Sequence, residues 1–192
     1  MTPCILELGG KCPLIVDHSA SIDFASTKVA FGSTLNSGQI CIAPDYLFVH
    51  ESKLQDFIRD VEVKFKQLYG EKPNGSDVQG HMINDFHTNR VAELLEGAGG
   101  KIICGGKVNR EAKYIEPTII LKPDLESKLM KEEIFGPILP IFPFKDIGEV
   151  IRFINARDKP LAVYYFGKSN SQNAQRVCAE TSSGAFVVNE VL

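Results

Sequence analysis

The sequence predicts an α/β fold, a largely parallel sheet flanked by helices, and two observations predict it. Short apolar runs of strand length, Leu14-Ile15-Val16 and Leu161-Ala162-Val163-Tyr164-Tyr165-Phe166 among them, have the unbroken hydrophobicity of strands buried on both faces. Between such runs lie stretches whose apolar residues recur at helical spacing. Strand and helix therefore alternate through most of the 192 residues, the order that covers a parallel sheet on both sides. The length suits one domain with a substantial core.

Taken in order, Leu14-Ile15-Val16 reads as a strand closed by the turn Asp17-His18-Ser19. Ile22, Ala25, Val29, Gly32 and Leu35 share a helical face that ends at Asn36-Ser37-Gly38. Tyr46-Leu47-Phe48-Val49-His50 is a strand. Ser52 and Gln55 form a capping-box pattern before a helix carrying Leu54, Phe57, Ile58, Val61, Phe65 and Leu68, with Gly70 placed to end it. A shorter helix covers about residues 88–96, with Val91, Leu94 and Leu95 inward, and Gly97, Gly99 and Gly100 stop it. Ile102-Ile103-Cys104 and the stretch from Tyr114-Ile115 to Ile119-Ile120-Leu121 are strand candidates around a protruding polar hairpin or loop with Gly105-Gly106. Pro117 makes the second an edge or bent strand. Residues 137–144 carry three prolines and are expected to be extended and only partly laddered. Asp146 and Glu149 cap a helix bearing Ile147, Val150, Ile151 and Ile154. After the strand at 161–166, Ala174, Val177, Cys178 and Thr181 line a last helix, and Ala185-Phe186-Val187-Val188 is the final strand.

Composition narrows the function. At 44% hydrophobic and 23% charged residues the chain is neither disordered nor fibrous, and its basic residues are dispersed, which argues against nucleic acid as a partner. No apolar run approaches bilayer length, and the amino terminus lacks a basic stretch followed by an apolar one, so an intracellular, cytoplasmic location is expected. Five cysteines at irregular spacings, with no Cys-x-x-Cys and no paired histidines, speak against a disulfide framework and a metal site. His18, His50, His81 and His87 form no metal pattern, and His87 reads as a surface residue. No Gly-x-Gly-x-x-Gly or Walker loop is present.

Three segments could carry chemistry. Cys41 follows Asn36-Ser37-Gly38-Gln39, a glycine-containing loop past a helix end, where the backbone can present a thiolate to substrate and Asn36 and Gln39 can fix the loop. A lone cysteine in such a loop is more often structural. Cys4, Cys12, Cys104 and Cys178 read as structural, the last on an apolar helical face. Glu7, between Leu6 and Leu8 and before Gly9-Gly10, emerges from an apolar strand end; burial there would raise its carboxyl toward the range of a general base. The alternative is a solvated edge glutamate. Glu132 and Glu133 precede Phe135-Gly136-Pro137 and fit either a solvated face or a site.

Together Glu7-Leu8-Gly9-Gly10-Lys11, Asn36-Ser37-Gly38-Gln39-Ile40-Cys41 and Glu132-Glu133-Ile134-Phe135-Gly136-Pro137 resemble the aldehyde dehydrogenase superfamily, with Cys41 lying 34 positions after Glu7. The resemblance is tighter to its class 3 or fatty aldehyde branch, through Cys41-Ile42-Ala43-Pro44-Asp45-Tyr46, Tyr114-Ile115-Glu116-Pro117-Thr118, Lys159-Pro160-Leu161-Ala162 and Glu180-Thr181-Ser182-Ser183-Gly184, and it runs from about residue 6 to 189. Cys12 departs from the serine or similar small residue usual after Lys11. The resemblance implies the catalytic-domain type of that family across residues 1–192 and NAD- or NADP-dependent oxidation of aldehydes, medium- to long-chain aliphatic or aromatic, to carboxylic acids. Cys41 would attack the carbonyl to give a thiohemiacetal and then a thioester, Glu7 would activate the hydrolytic water, and Asn36 would support the loop. Glu133 would bind the nicotinamide ribose, with Phe135 and Leu8 beside the nicotinamide. A cofactor-binding region before the chain and a C-terminal segment after it, with the membrane tail of some members, are expected outside these residues. The full-length protein would then be a homodimer, and the chain alone inactive. Two other readings stand beside this one: a short paralogue serving as a binding or assembly module, and a cofactor-free esterase using Cys41 and Glu7.

Overall fold

The computed structural model describes residues 2–70 and 79–192. Its centre is a seven-stranded sheet in the order β3-β6-β7-β2-β1-β8-β9, formed by β1 (Cys12–Val16), β2 (Pro44–His50), β3 (Lys101–Cys104), β6 (Thr118–Leu121), β7 (Ile138–Phe144), β8 (Ala162–Phe166) and β9 (Ala185–Val188). All neighbours pair in parallel except β3, which is antiparallel to β6. A two-stranded ribbon, β4 (Val108–Asn109) with β5 (Tyr114–Ile115), stands apart from it.

Alternation along the strands builds two cores. On one face Leu14, Val16, Leu47, Val49, Tyr164 and Phe166 pack under α1 (Ile22–Thr34) and α2 (Leu54–Tyr69). On the other, Ile15, Tyr46, Phe48, Val163 and Tyr165 meet α5 (Ile147–Asn155) and α6 (Gln172–Glu180). A third cluster joins α3 (Asp85–Glu96) and α4 (Lys128–Lys131) to Ile120 and Ile138. Among the described residues no helix is long and apolar enough to cross a membrane.

Several local expectations are sharpened or corrected. Residues 138–144 form an interior strand whose two ladders each cover part of it, 138–141 with β6 and 141–144 with β2, so the expected partial laddering holds within a regular strand. The Ile141 carbonyl accepts from Lys122 of the β6 side, so by the two-residue period Pro143 also faces β6, beyond its last paired residue Leu121. Pro140 faces β2 where that ladder begins, and neither position requires an N–H. Pro117 breaks its stretch into β5, an edge strand of the two-stranded ribbon, and β6, an interior strand of the main sheet. Ser52 forms no capping box: its N–H donates to the His50 ring, and a 3-10 turn at Glu51–Lys53 leads into α2. Asn84 caps α3 a turn earlier than expected by accepting from the His87 N–H. Cys178 is exposed, on the solvent side of α6.

Candidate active site

Strand direction brings the three chemistry-bearing segments together. Glu7 lies just before β1, Cys41 just before β2, and Glu133 to Phe135 just before β7, and these three strands are adjacent and parallel. All three segments therefore meet at the amino ends of the central strands.

The Cys41 loop is held in a conformation that needs support. Asn36, Ser37 and Gly38 follow one another at φ of 52°, 57° and 71°, and each non-glycine in that left-handed region costs on the order of 1 kcal/mol. The Asn36 amide donates to the Gln39 carbonyl at 3.1 Å. Gln39 donates to the Asn36 and His81 carbonyls and accepts from the Ile83 N–H, stapling the loop to residues 81–83. Ser37 reaches the Gly80 carbonyl. Beyond Gln39, Ala43 donates to Ile40 across a tight turn that leaves Cys41 half-buried at its apex. Tyr164 of β8 donates to the Ile42 carbonyl at 2.6 Å, and burial pushes its phenol up to about 12, so it stays a neutral donor. The other cysteines differ. Burial pushes Cys12 and Cys104 up to about 11, which keeps them as thiols, and Cys12 points at the Cys41 carbonyl from 3.7 Å.

Glu7 is not buried as the sequence suggested. Residues 2–11 have no regular secondary structure, so no strand end encloses the carboxylate. It is exposed and folds back to accept from the Gly9 N–H at 2.7 Å. Its neighbours Ile5, Leu6 and Leu8 are 99%, 79% and 88% exposed, an apolar run open to solvent. Glu133 is the more enclosed acid. Its carboxylate lies against Gly9, whose φ of 91° leaves no room for a Cβ, and accepts from Gly10. Burial lifts this carboxyl above its ordinary value, helped by Asp45 and Glu7, while the Gly10 bond and Lys11 oppose the rise. Phe135 follows at φ 48°, about one-third exposed. Glu132 is exposed, and its backbone is engaged on both sides, the N–H donating to the Lys128 carbonyl and the carbonyl accepting from Lys11.

Three residues not picked out from sequence organise this edge. Lys11 is ion-paired with the buried Asp45 and donates to the Leu129 and Glu132 carbonyls at 2.9 and 2.7 Å. Asp45 accepts from the Ile134 N–H at 2.8 Å with its other oxygen. Arg90 of α3 donates to the Glu133 and Ile134 carbonyls at 3.1 and 2.6 Å. The signal for this was Asp45 itself, a charge inside the apolar run Pro44-Asp45-Tyr46-Leu47-Phe48, because a carboxylate is buried in a strand only with a cation beside it.

A cleft of about 830 Å³ opens beside Glu133, bounded by Leu8, Gly9, Lys131, Arg157 and Lys159. Glu133 presents there a half-buried carboxylate beside the glycine backbone of Gly9 and Gly10, a setting that can accept hydrogen bonds from a ligand's hydroxyl groups. The described residues offer no glycine-rich strand-loop-helix turn for phosphates. They also hold no group of three or more His, Cys, Asp or Glu able to bind a metal ion.

Comparisons with known proteins agree with this arrangement. The model of the Aldehyde dehydrogenase family matches residues 1–192. The chain is 42% identical over its whole length to the 4,4'-diaponeurosporen-aldehyde dehydrogenase of Staphylococcus aureus, covering 42% of that protein. It is 41% identical to the dimeric NADP-preferring aldehyde dehydrogenase of Mus musculus, covering 42% of it, and 43% identical to aldehyde dehydrogenase family 3 member A2 of Rattus norvegicus, covering 39%. Both matches take in the whole chain. The structure of substrate-bound Staphylococcus aureus AldH superposes with a TM-score of 0.92 at 40% identity, over 97% of this chain and 40% of that one. The chain thus spans about two fifths of the length of these relatives.

Proposed function

Because the chain belongs to the aldehyde dehydrogenase family, we propose that it carries the nucleophile and the general base of an NAD(P)-dependent enzyme that oxidises aldehydes to carboxylic acids. The observation that carries this reading is the convergence of Glu7, Cys41 and the Glu133–Phe135 loop at the amino ends of β1, β2 and β7. Cys41, at the apex of its braced turn, attacks the aldehyde carbonyl as a thiolate, and its backbone N–H faces the oxyanion of the thiohemiacetal. The dinucleotide, when bound, supplies the hydride acceptor. Glu133 holds its ribose hydroxyls, and Phe135 and Leu8 wall its ring. Glu7, exposed and bonded in this state to the Gly9 N–H, turns toward Cys41 and takes a proton from the water that hydrolyses the thioester.

Apolar aldehydes, medium- to long-chain aliphatic or aromatic, are the substrate class. This rests on the Staphylococcus aureus relative, named for 4,4'-diaponeurosporen-aldehyde. The native protein acts as a cytoplasmic homodimer, in keeping with the dimeric name of the Mus musculus relative. The 192 residues alone turn over no aldehyde, because the described residues offer the cofactor's phosphates no cradle.

The test is NAD(P)H formation by the protein at its native length. Wild type should reduce cofactor with a medium-chain aldehyde, and Cys41→Ala should lose at least about 10³-fold. Glu7→Gln should keep a burst of about one NAD(P)H per site and lose steady turnover. Full steady turnover in Cys41→Ala would end this reading. The exposed run Ile5, Leu6 and Leu8 favours a second one, a non-catalytic assembly module, which an inactive native-length wild type would bring forward.

A further inference from the structure

Lys11, Asp45 and Arg90 each make their bonds to the stretch of backbone between Leu129 and Ile134, yet they come from three different parts of the fold. Lys11 leaves the Glu7-bearing segment, Asp45 follows Cys41 by four residues in β2, and Arg90 lies on α3. Lys11 takes the Leu129 and Glu132 carbonyls, Asp45 takes the Ile134 N–H, and Arg90 takes the Glu133 and Ile134 carbonyls. Every backbone polar group named is next to or within one residue of Glu133 except Leu129, so the position of the Glu133 carboxylate is set from both sides of its own peptide units. The carboxylate itself lies against Gly9, with the Gly10 N–H favouring its charged form. By contrast the Cys41 loop is fixed by a separate set, Asn36, Ser37, Gln39 and Tyr164.

On the reading given under Proposed function, we propose that Lys11, Asp45 and Arg90 are positioning residues that hold the Glu133–Phe135 loop at the height where it meets the dinucleotide, independently of the bracing of Cys41. They touch neither aldehyde nor cofactor. A buried ion pair is a suitable device for this. Its two charges demand each other, so the three segments have one relative placement at which neither is left unpaired in the core. Arg90 is half-exposed and planar, and its fork reads two consecutive carbonyls that a lysine could not hold in the same way.

The experiment uses the native-length protein and three variants, Arg90→Ala, Arg90→Lys and Asp45→Asn. Arg90→Ala removes one side of the clamp from a half-exposed position where folding is retained, and Asp45→Asn removes the charge that Lys11 requires. Two quantities are read on each: the dissociation constant for NAD and NADP by calorimetry, and the rate of Cys41 alkylation by iodoacetamide, followed on its own peptide by mass spectrometry because Cys4 and Cys178 are also exposed. The expected result for Arg90→Ala is a cofactor dissociation constant raised about tenfold, with Cys41 alkylation changed by less than about twofold. Arg90→Lys should recover only part of the loss. An unchanged dissociation constant in Arg90→Ala, or alkylation that changes in step with it, would overturn the proposal whatever Asp45→Asn does. Wild type that binds neither dinucleotide would defeat the dehydrogenase reading itself, and the clamp assignment with it, whereas wild type that binds with variants unchanged defeats the clamp alone.

Discussion

At the carboxyl ends of β1 and β8 the chain is closed around a buried carboxylate, whereas at the amino ends of β1, β2 and β7 it is held open by residues in left-handed conformations. Asp17, fully buried at the end of β1, accepts from the Ser19 N–H and hydroxyl and from the Asn173 amide, with the His18 ring 3.1 Å away. Asn189 brackets Gly167 beyond β8, accepting from its N–H at 2.9 Å and donating to its carbonyl at 3.0 Å. In open parallel sheets ligands commonly enter at the carboxyl ends, where the strand order reverses. Here side chains tie the carboxyl ends of β1 and β8 together beside a pocket of about 350 Å³ lined by Ser19, Phe24, Phe166 and Asn189, and the exposed carboxylate and the cysteine lie at the opposite end. The difference separates two tasks: left-handed residues occur at both ends, Asn189 at φ 57° among them, but only at the amino ends do they adjoin exposed groups able to react.

Breaking the closed end should give the largest effect on stability and the smallest on reactivity. Burial alone would lift the Asp17 carboxyl, but the bonds from Ser19 and Asn173 outweigh it and hold the group below its ordinary range. A carboxylate depressed in the folded state contributes stability that is complete above the unfolded value and is lost as pH falls through the folded one. Asp17→Asn turns an amide nitrogen toward donors and should cost about 3 kcal/mol near neutral pH, measured by urea unfolding. The gap to wild type should narrow in acid, while Cys41 alkylation in the folded fraction stays unchanged. A gap that widens in acid would show that Asp17 is not the charged acceptor described.

Breaking the open end should reverse that pattern. Gly38 sits at φ 71° with the Gly136 carbonyl where a Cβ would lie, so it is the point at which the cysteine loop and the Glu133–Phe135 loop touch most closely. Gly38→Ala strains the backbone and pushes the two loops apart at once. About 2 kcal/mol of destabilisation is expected, together with a fall in Cys41 alkylation of at least about tenfold. Loss of stability without loss of reactivity would mean that the contact serves packing alone.

Much of the sheet was legible because its signals are local. The apolar runs at 14–16, 46–49 and 161–166 have no charged position to turn toward water, and the helical face of Leu54, Phe57, Ile58, Val61 and Phe65 has a regular period. Order and pairing were less visible. The two prolines of β7 count against a central strand unless the lengths of its neighbours are known, since only the ends of the β6 and β2 ladders remove the need for their N–H groups. In the site, the motif residues could be named from spacing, but the setting of Glu7 was misjudged because its apolar neighbours imply burial and instead lie open. Lys11, Asp45 and Arg90 were hidden for a different reason: their bonds are to backbone groups of a segment about 40 to 120 residues away, and backbone groups leave no mark in a sequence.

The finest contrast between the two ends is electrostatic, and it gives the smallest predicted effect. Asp17 is held down by donors, while Glu133 is lifted by burial beside Asp45 and Glu7. A raised carboxyl binds its proton more tightly in the folded state than in the unfolded one, so Glu133 carries no penalty well below the ordinary carboxylate range and a growing one as pH rises through it. Glu133→Gln keeps the acceptor for Gly10 and removes the charge. In the cofactor-free protein it should therefore stabilise the fold at pH 7 by less than about 1 kcal/mol, since the group is half-exposed and screened, and leave it unchanged near pH 3. Thermal unfolding of wild type and variant at the two values measures this directly. Equal stability at both would place the Glu133 charge in solvent, away from Gly9 and Gly10, and a loss at pH 7 would mean that its pairing with Lys11 outweighs its burial.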